Sequence, residues 1–474
     1  MTNRLFSIIA GLVLITSCQS IKSNIKNILP DEKTSVGFWL TNPDRSAVFT
    51  QQASLLIKDS SFNNNPNIDI DFNKKYQKID GFGATLTGGS AFVINQKLTA
   101  IQRDSLLKEL FSIENKGIGI SYLRLSIGAS DMSAKSFTYD DMPQGQTDTA
   151  MQYFSINEEK KDLIPVLKQI LKLNPKIKIL GSPWSPPTWM KSNNSFIGGK
   201  LLPQYYASYA RYFVKYIQAM KQEGIEIDAI TIQNEPENPK NEPSLLMTAD
   251  EQKDFIKYHL GPIFKKEGIN TKIILFDHNC DHPEYPLSIL NDLEAKKYID
   301  GSAFHMYSGE IEAMGKVHDA HPDRSVYFTE QWTSARGQFG GDVAWAVKNL
   351  VIGASRNWSK NVLQWNLAND DNFGPHTEGG CTECLGAVTI GNEIKRNPAY
   401  YIIAHASKFV RPNSVRIASN MVKSLPNVAF LTPEGQKVVI VLNDSASPQS
   451  FNIKMGGKMV TASLAAGAVG TYVW

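Results

Sequence analysis

Two glutamates stand where apolar runs end. Ala229-Ile230-Thr231-Ile232 leads into Gln233-Asn234-Glu235-Pro236, and Ser325-Val326-Tyr327-Phe328-Thr329 leads into Glu330-Gln331-Trp332. A carboxylate where a buried strand stops is aimed at the rim of whatever the strands build. Pro236 carries no N–H and biases its predecessor towards extended geometry, so Glu235 is expected in an extended conformation at that rim. Two carboxylates facing each other over a pocket suit glycosidic bond cleavage, one protonating the leaving oxygen while the other meets the anomeric carbon. A retaining reaction needs them about 5–5.5 Å apart and an inverting one about 6.5–9.5 Å. The acid must hold a proton near neutral pH, so Glu235 is expected to have its pKa raised by the charge of Glu330. Glu330 is expected to stay ionised through hydrogen bonds from Arg124, His305 and Tyr307.

The elements that must position this pair can be read from periodicity. Eight short apolar runs predict strands: 79–86, 120–127, 177–182, 229–233, 272–276, 301–305, 325–329 and 361–365. Helical spacing between them predicts helices over 100–111, 161–173, 204–223, 250–266 and 342–357, with a last one over 400–410. Eight strands alternating with helices predict a (β/α)8 TIM barrel of the α/β class, whose chemistry occupies the C-terminal rim of the strands. Counting units puts Glu235 after the fourth strand and Glu330 after the seventh, on opposite sides of the mouth. The other strand ends carry Arg124 and Asp131, Trp184, Asp277 and His278, His305 and Tyr307, and Trp365. These predict a polar pocket in which Trp184, Trp332 and Trp365 offer flat faces to the C–H side of a sugar ring.

Beyond the barrel the pattern turns to short strands and tight turns, and the segment preceding it also reads as strands. Both ends are expected to pair in one small all-β side domain. The resulting division is 36–75 for its N-terminal strands, 76–410 for the barrel and 411–474 for its C-terminal strands. Residues 1–18 read as an export signal: Arg4, an apolar stretch from Leu5 to Ile15, then Thr16-Ser17-Cys18. The stretch is too short to span a bilayer and resembles a bacterial lipoprotein signal, with Cys18 carrying the lipid and 19–35 serving as tether. The protein is therefore expected outside the cytoplasm, lipid-anchored at the bacterial cell envelope, and monomeric.

Near-balanced charge, 49 basic against 46 acidic residues, leaves no electrostatic footprint for nucleic acid. Cys381 and Cys384 form a single CxxC without a second pair, which in an exported protein favours a local disulfide over a zinc ribbon. The run from Asp277 to His282 is rich in ligand-type residues, but neighbours in a strand alternate faces and cannot all reach one ion. It reads as pocket lining. His278 and His305 alone are too few ligands for a metal centre, and no cofactor is implied.

Seven motifs in order carry a family resemblance: "KIDGFGATLTGGSA", "SYLRLSIGASDMS", "ILGSPWSPPTWMKSN", "ITIQNEPEN", "HMYSG", "YFTEQW" and "LQWNLA". Between Ile79 and Phe409 the chain resembles glycoside hydrolase family 30, which contains the lysosomal glucosylceramidase. The resemblance implies Glu235 as acid/base, Glu330 as nucleophile, and Asn234 as the partner of the sugar 2-hydroxyl. It further implies Asp131, Trp184, Tyr307 and Trp365 on the terminal sugar, with Arg124, His278, His305 and Trp332 as supporting residues. Thr87-Gly88-Gly89-Ser90 and Gln331-Trp332 depart from the glucosylceramidase branch, whereas 374–390, with its CxxC loop flanking the cleft, resembles the β-1,6-glucan-cleaving branch. A β-1,6-glucan is thus the expected substrate. Glucosylceramide, or a small β-glucoside or β-xyloside, is the alternative within the family, and a surface carbohydrate-binding protein is the alternative outside it.

Overall fold

The computed structural model describes residues 34–474. The expected signal, Cys18 and nearly all of the tether lie outside the described residues. Eight parallel strands close a barrel: Gly81–Thr85, Tyr122–Ile127, Lys178–Pro183, Ala229–Thr231, Lys272–Cys280, Ile299–Gly309, Ser325–Glu330 and Ser359–Asn366. The eighth pairs with the first, completing the ring. First and second strands approach so closely that a Cβ on Gly83 would fall 1.9 Å from the Tyr122 carbonyl oxygen. Only glycine fits there. The fourth strand stops at Thr231 rather than Gln233, and the fifth runs on to Cys280.

Inside the ring, Tyr122, Leu180, Ala229, Ile274, Ala303, Tyr327 and Leu363 pack into one apolar layer contributed by seven strands. Side chains two residues further along a strand return to the same face. One step up from each layer residue stand Arg124, Ser182, Thr231, His305, Thr329 and Trp365, so the next layer is polar. The fifth strand breaks the rule. Phe276 and Asp277 both have positive φ, 73° and 67°, and the pairing with the sixth strand slips there from Ala303↔Phe276 to Phe304↔His278. This bulge inserts one residue, so Asp277 rather than Phe276 turns into the polar layer.

The helix over Ala100–Phe111 follows the sequence pattern, opened by a capping box between Thr99 and Gln102. A second box, Thr248 with Glu251, opens the helix from Ala249 to Lys266, which widens to a π turn over Ile256–Leu260. Pro262 lies just beyond and has no N–H to give to the preceding turn, so the wider turn carries the chain past it. Four helices were not expected from periodicity: Gly88–Gln96, Glu284–Leu290, Leu293–Lys296 and Glu312–Ala320. The first begins with two glycines, poor helix formers. Its start is fixed by Thr87, which caps Ser90 N–H, and by Ser90 Oγ bonding Asn366 and Ala368. Among the described residues no helix is long and apolar enough to cross a membrane.

Strands from both chain ends build one ten-stranded sheet, in which Ser35–Thr41 pairs with the last strand, Val469–Val473. Asn67–Lys78 pairs with Val415–Ser419, a strand the periodicity reading missed, and with Gln449–Met455. Phe451 meets Tyr472 edge-to-face at 6.1 Å although their strands are far apart in the sheet order. The sheet therefore folds back over its own core, which includes Val36, Phe38, Val439, Phe451 and Tyr472.

His405, on the helix Pro398–Ser407, fastens this domain to the barrel. Its Nδ1 lies 2.8 Å from Thr471 Oγ1 and its Nε2 2.8 Å from Thr41 Oγ1, one threonine from each end of the chain. Thr471 Oγ1 donates to the His405 carbonyl and Thr41 Oγ1 accepts from Phe49 N–H, so a neutral ring with its proton on Nδ1 satisfies every partner. Burial pushes the His405 pKa down to about 3. The stability this neutrality contributes is fully present above the ordinary value of 6.5 and is lost as pH falls from there towards about 3, by roughly 1.4 kcal/mol per pH unit. We predict that His405→Gln loses less thermal stability than wild type between pH 7 and pH 4.5, measured by calorimetry. Equal losses would remove His405 from the acid response.

Candidate active site

The polar layer and the loops above it converge on Arg124. Its wholly buried guanidinium donates through Nη1 to Glu330 Oε2 at 2.5 Å and through Nη2 to Asp277 Oδ2 at 2.8 Å and Asn234 Oδ1 at 2.7 Å. Asp277 is saturated with donors. Ser182 and Thr231 hydroxyls reach Oδ2 at 2.8 Å each, and Thr329 Oγ1 reaches Oδ1 at 2.6 Å. His305 Nε2 lies 3.1 Å from the same Oδ1. Burial would raise the Asp277 pKa, but Arg124 and His305 hold it well below the carboxylate range.

His305 links the two glutamates. Its Nδ1 is 3.2 Å from Glu235 Oε1 and 3.9 Å from Glu330 Oε1, so both carboxylates stand around a single nitrogen. Tyr307 adds a bond from Oη to Glu330 Oε1 at 2.9 Å, and Asn238 Nδ2 donates to Glu235 Oε2 at 2.8 Å. The pair is thus convergent, as the strand count requires; Arg124 and Tyr307 bond Glu330 as expected, whereas His305 gives its hydrogen bond to Glu235 and stays 3.9 Å from Glu330.

Two expectations for Glu235 are overturned. Its backbone is left-handed, φ 45°, not extended. Proline disfavours the right-handed helical region for the preceding residue, and the strand ends two residues earlier than expected, at Thr231. The strained conformation is held by Glu235 N–H bonding the Asp277 carbonyl at 3.0 Å and by Asn238 N–H bonding the Glu235 carbonyl at 2.9 Å. The second correction is electrostatic. Burial pushes the Glu235 pKa up, but hydrogen bonding and charge from His305 prevail and bring it down to about 2. Glu330 moves the other way: burial raises it against the opposing pull of His305 and Arg124. His305 is desolvated too, yet the charge of Glu330 and the bonds to Asp277 and Glu235 raise it to about 9. The downward shift of Glu235 and the upward shift of His305 share a cause, their contact at 3.2 Å.

The remaining predicted residues fall into two groups. Asp131, His278, Tyr307, Trp332 and Trp365 line a cleft of about 700 Å³ together with Glu235 and Glu330. Trp184 and Asn234 do not line it. Trp184 is 1% exposed, with its ring centroid 5.3 Å from that of Trp365, and it covers the Arg124 guanidinium at 4.7 Å. It packs over Arg124 rather than standing as an open sugar platform. Asp277 is expected from sequence only as pocket lining, not as the buried partner of Arg124, because strict alternation would point Phe276 inward, and Asn238 was not identified. Glu242 was missed as well. It accepts from Ser136 Oγ at 3.0 Å and Gly379 N–H at 2.8 Å, tying the disulfide loop to two rim loops. Cys381 and Cys384 are disulfide-bonded and border the cleft.

Alternation keeps neighbours within one strand from sharing an ion. Across strands, Glu235, His278 and His305 each offer a ligand atom within 4.8 Å of the others.

With this geometry in place, likeness to known proteins can be weighed. The glycosyl hydrolase family 30 TIM-barrel domain matches residues 79–410, and the β-sandwich domain of the same family matches 413–472. The chain belongs to glycoside hydrolase family 30. An endo-1,6-β-D-glucanase of Neurospora crassa is 38% identical over 352 residues, 72% of each chain. A putative glucosylceramidase of Caenorhabditis elegans is 31% identical over 399 residues, 79% of this chain and 75% of the relative. Among solved structures, the endo-β-1,6-glucanase BT3312 superposes with a TM-score of 0.86 at 36% identity, covering 93% of this chain and 99% of that one. The protein is a glycoside hydrolase with the barrel and β-sandwich of its family.

Asp131 generates a pH prediction. Burial first, then the charges of Glu330 and Glu235, raise its pKa to about 8, and its Oδ1 is buried without a hydrogen-bond partner. Below that pH it is a neutral carboxyl able to donate to a hydroxyl. Above it, a third negative charge forms beside the pair. We expect kcat/KM to fall as pH rises through about 8, and Asp131→Asn to move this alkaline limb to higher pH. A variant profile that superimposes on wild type after scaling would contradict the assignment.

Proposed function

We propose that the protein hydrolyses β-1,6-linked glucan by double displacement with retention. One observation carries the chemistry: Glu235 and Glu330 stand 3.2 and 3.9 Å from the same His305 nitrogen, so both carboxylates converge on one point of the cleft. Glu330 is the nucleophile. Its raised basicity favours attack on the anomeric carbon, while Arg124 and Tyr307 aim its oxygens. Glu235 is the acid/base. His305 Nδ1 holds the proton next to it and passes it on as charge develops on the leaving oxygen, after which Glu235 takes a proton from the attacking water. Asn234, held by Arg124, is assigned to the 2-hydroxyl, and Asp131, Tyr307 and Trp365 to the rest of the terminal sugar.

The cleft favours a polysaccharide over a lipid. Past the carboxylates it is lined by Glu237, Asn238, Lys240, Asn241 and the disulfide loop. Among the described residues that line it there is no leucine, isoleucine, valine or phenylalanine to receive an acyl chain. The likeness to endo-1,6-β-glucanases supports the same reading. Product analysis on β-1,6-glucan, β-1,3-glucan and glucosylceramide tests it. We expect internal cleavage of the first, and activity on glucosylceramide alone would refute the assignment. Glu235→Gln should slow natural leaving groups by about 10²–10⁴-fold while sparing activated aryl glycosides. Equal losses on both would deny it the acid role.

We also infer, from residues 4–18, an exported protein anchored to the cell envelope through a lipid on Cys18. Cys18→Ala should then move the protein from the membrane fraction to the soluble one. An unchanged distribution would rule the anchor out.

A further inference from the structure

The contact between acid and imidazole has dimensions that suit more than a proton. A tetrahedral zinc-type ion bound at about 2.0–2.1 Å keeps its ligand atoms about 3.3 Å apart. His305 Nδ1 and Glu235 Oε1 are already 3.2 Å apart, one edge of such a site. His278 offers the third ligand within 4.8 Å of both, which leaves at most about 1.5 Å of closure to that spacing. It is 8% exposed, and its Nδ1 is buried with no hydrogen-bond partner. The surroundings are those of a metal site. His305 turns its other nitrogen, Nε2, to the Asp277 carboxylate at 3.1 Å, an orientation that fixes Nδ1 towards the cleft. Asn238 steadies Glu235 through its second oxygen. The fourth position opens into the cleft, where water or a sugar hydroxyl can enter.

We propose that Glu235, His278 and His305 form an inhibitory site for a divalent transition-metal cation of the zinc class. Two imidazoles and a carboxylate select Zn²⁺, Co²⁺ or Cu²⁺ over Mg²⁺ and Ca²⁺, which prefer oxygen. On binding, the metal forms bonds to His305 Nδ1, Glu235 and His278, and the Nδ1 proton leaves to solvent. The cation thereby removes the leaving-group proton and the carboxylate that delivers it, so inhibition is competitive with glycan and reversible by chelation.

Calorimetry of the full chain with Zn²⁺ in a non-coordinating buffer, with Mg²⁺ as a parallel arm, reads binding directly and does not depend on which glycan is cleaved. We expect one Zn²⁺ per chain, no Mg²⁺ binding, and Co²⁺ absorption in the visible range with tetrahedral intensity. His278→Ala and Glu235→Gln, each checked for folding by its thermal transition, should both weaken Zn²⁺ binding by about tenfold or more. No Zn²⁺ binding to wild type at millimolar concentration, Mg²⁺ binding as tight as Zn²⁺, or undiminished Zn²⁺ affinity in both folded variants would each overturn the proposal.

Discussion

A single guanidinium buried in the barrel mouth sets the arrangement of everything around it. Taking an arginine out of water costs several kcal/mol unless its charge is met at close range and its N–H groups are used. Asp277, equally buried, meets the charge of Arg124 and is itself saturated by Ser182, Thr231, Thr329 and His305. That closed pair leaves Arg124 Nη1 free for Glu330 and Nη2 shared with Asn234. Removing one partner would strand the other charge, a loss of about 3–5 kcal/mol in such settings. The catalytic geometry and the stability of the barrel mouth are therefore the same set of bonds.

The barrel supplies this network by stacking. An apolar layer seals the interior, and one step up each strand delivers its polar residue to a common level. The bulge at Phe276 and Asp277 lets the fifth strand contribute a carboxylate where regular pleating would contribute a phenylalanine. Above that level the left-handed Glu235 and the Glu242-tethered disulfide loop shape the cleft. The β-sandwich lies apart from the chemistry. Its link through His405 to Thr41 and Thr471 uses both chain ends to hold the eighth unit in place.

Much of this was legible in the residues. Strand-end polarity located Glu235, Glu330, Arg124, His305 and Tyr307, because period-two alternation and unit counting survive into the fold nearly unchanged. What escaped were departures from those rules. The bulge that turns Asp277 inward has no sequence signal beyond an unremarkable Phe-Asp pair. The two glycines opening the helix Gly88–Gln96 hid it, since its start is fixed by tertiary bonds from Ser90. Trp184 stands at a strand end like Trp365, but only packing decides that it lies against Arg124 rather than along the cleft. The Glu235 shift runs opposite to expectation because strand-end placement gives His305 to Glu330 alone, and its contact with Glu235 emerges only when the sixth strand is placed.

The carboxylate that bonds to the sugar defines the chemistry of the site. Incubating the enzyme with a 2-fluoro β-glucoside bearing an activated leaving group, then digesting it and mapping the added mass, reads this directly. A fluoroglucosyl ester on Glu330, in the peptide containing Tyr327-Phe328-Thr329, is the predicted result. A label on Glu235 or Asp131, or undiminished turnover with no label at all, would contradict it.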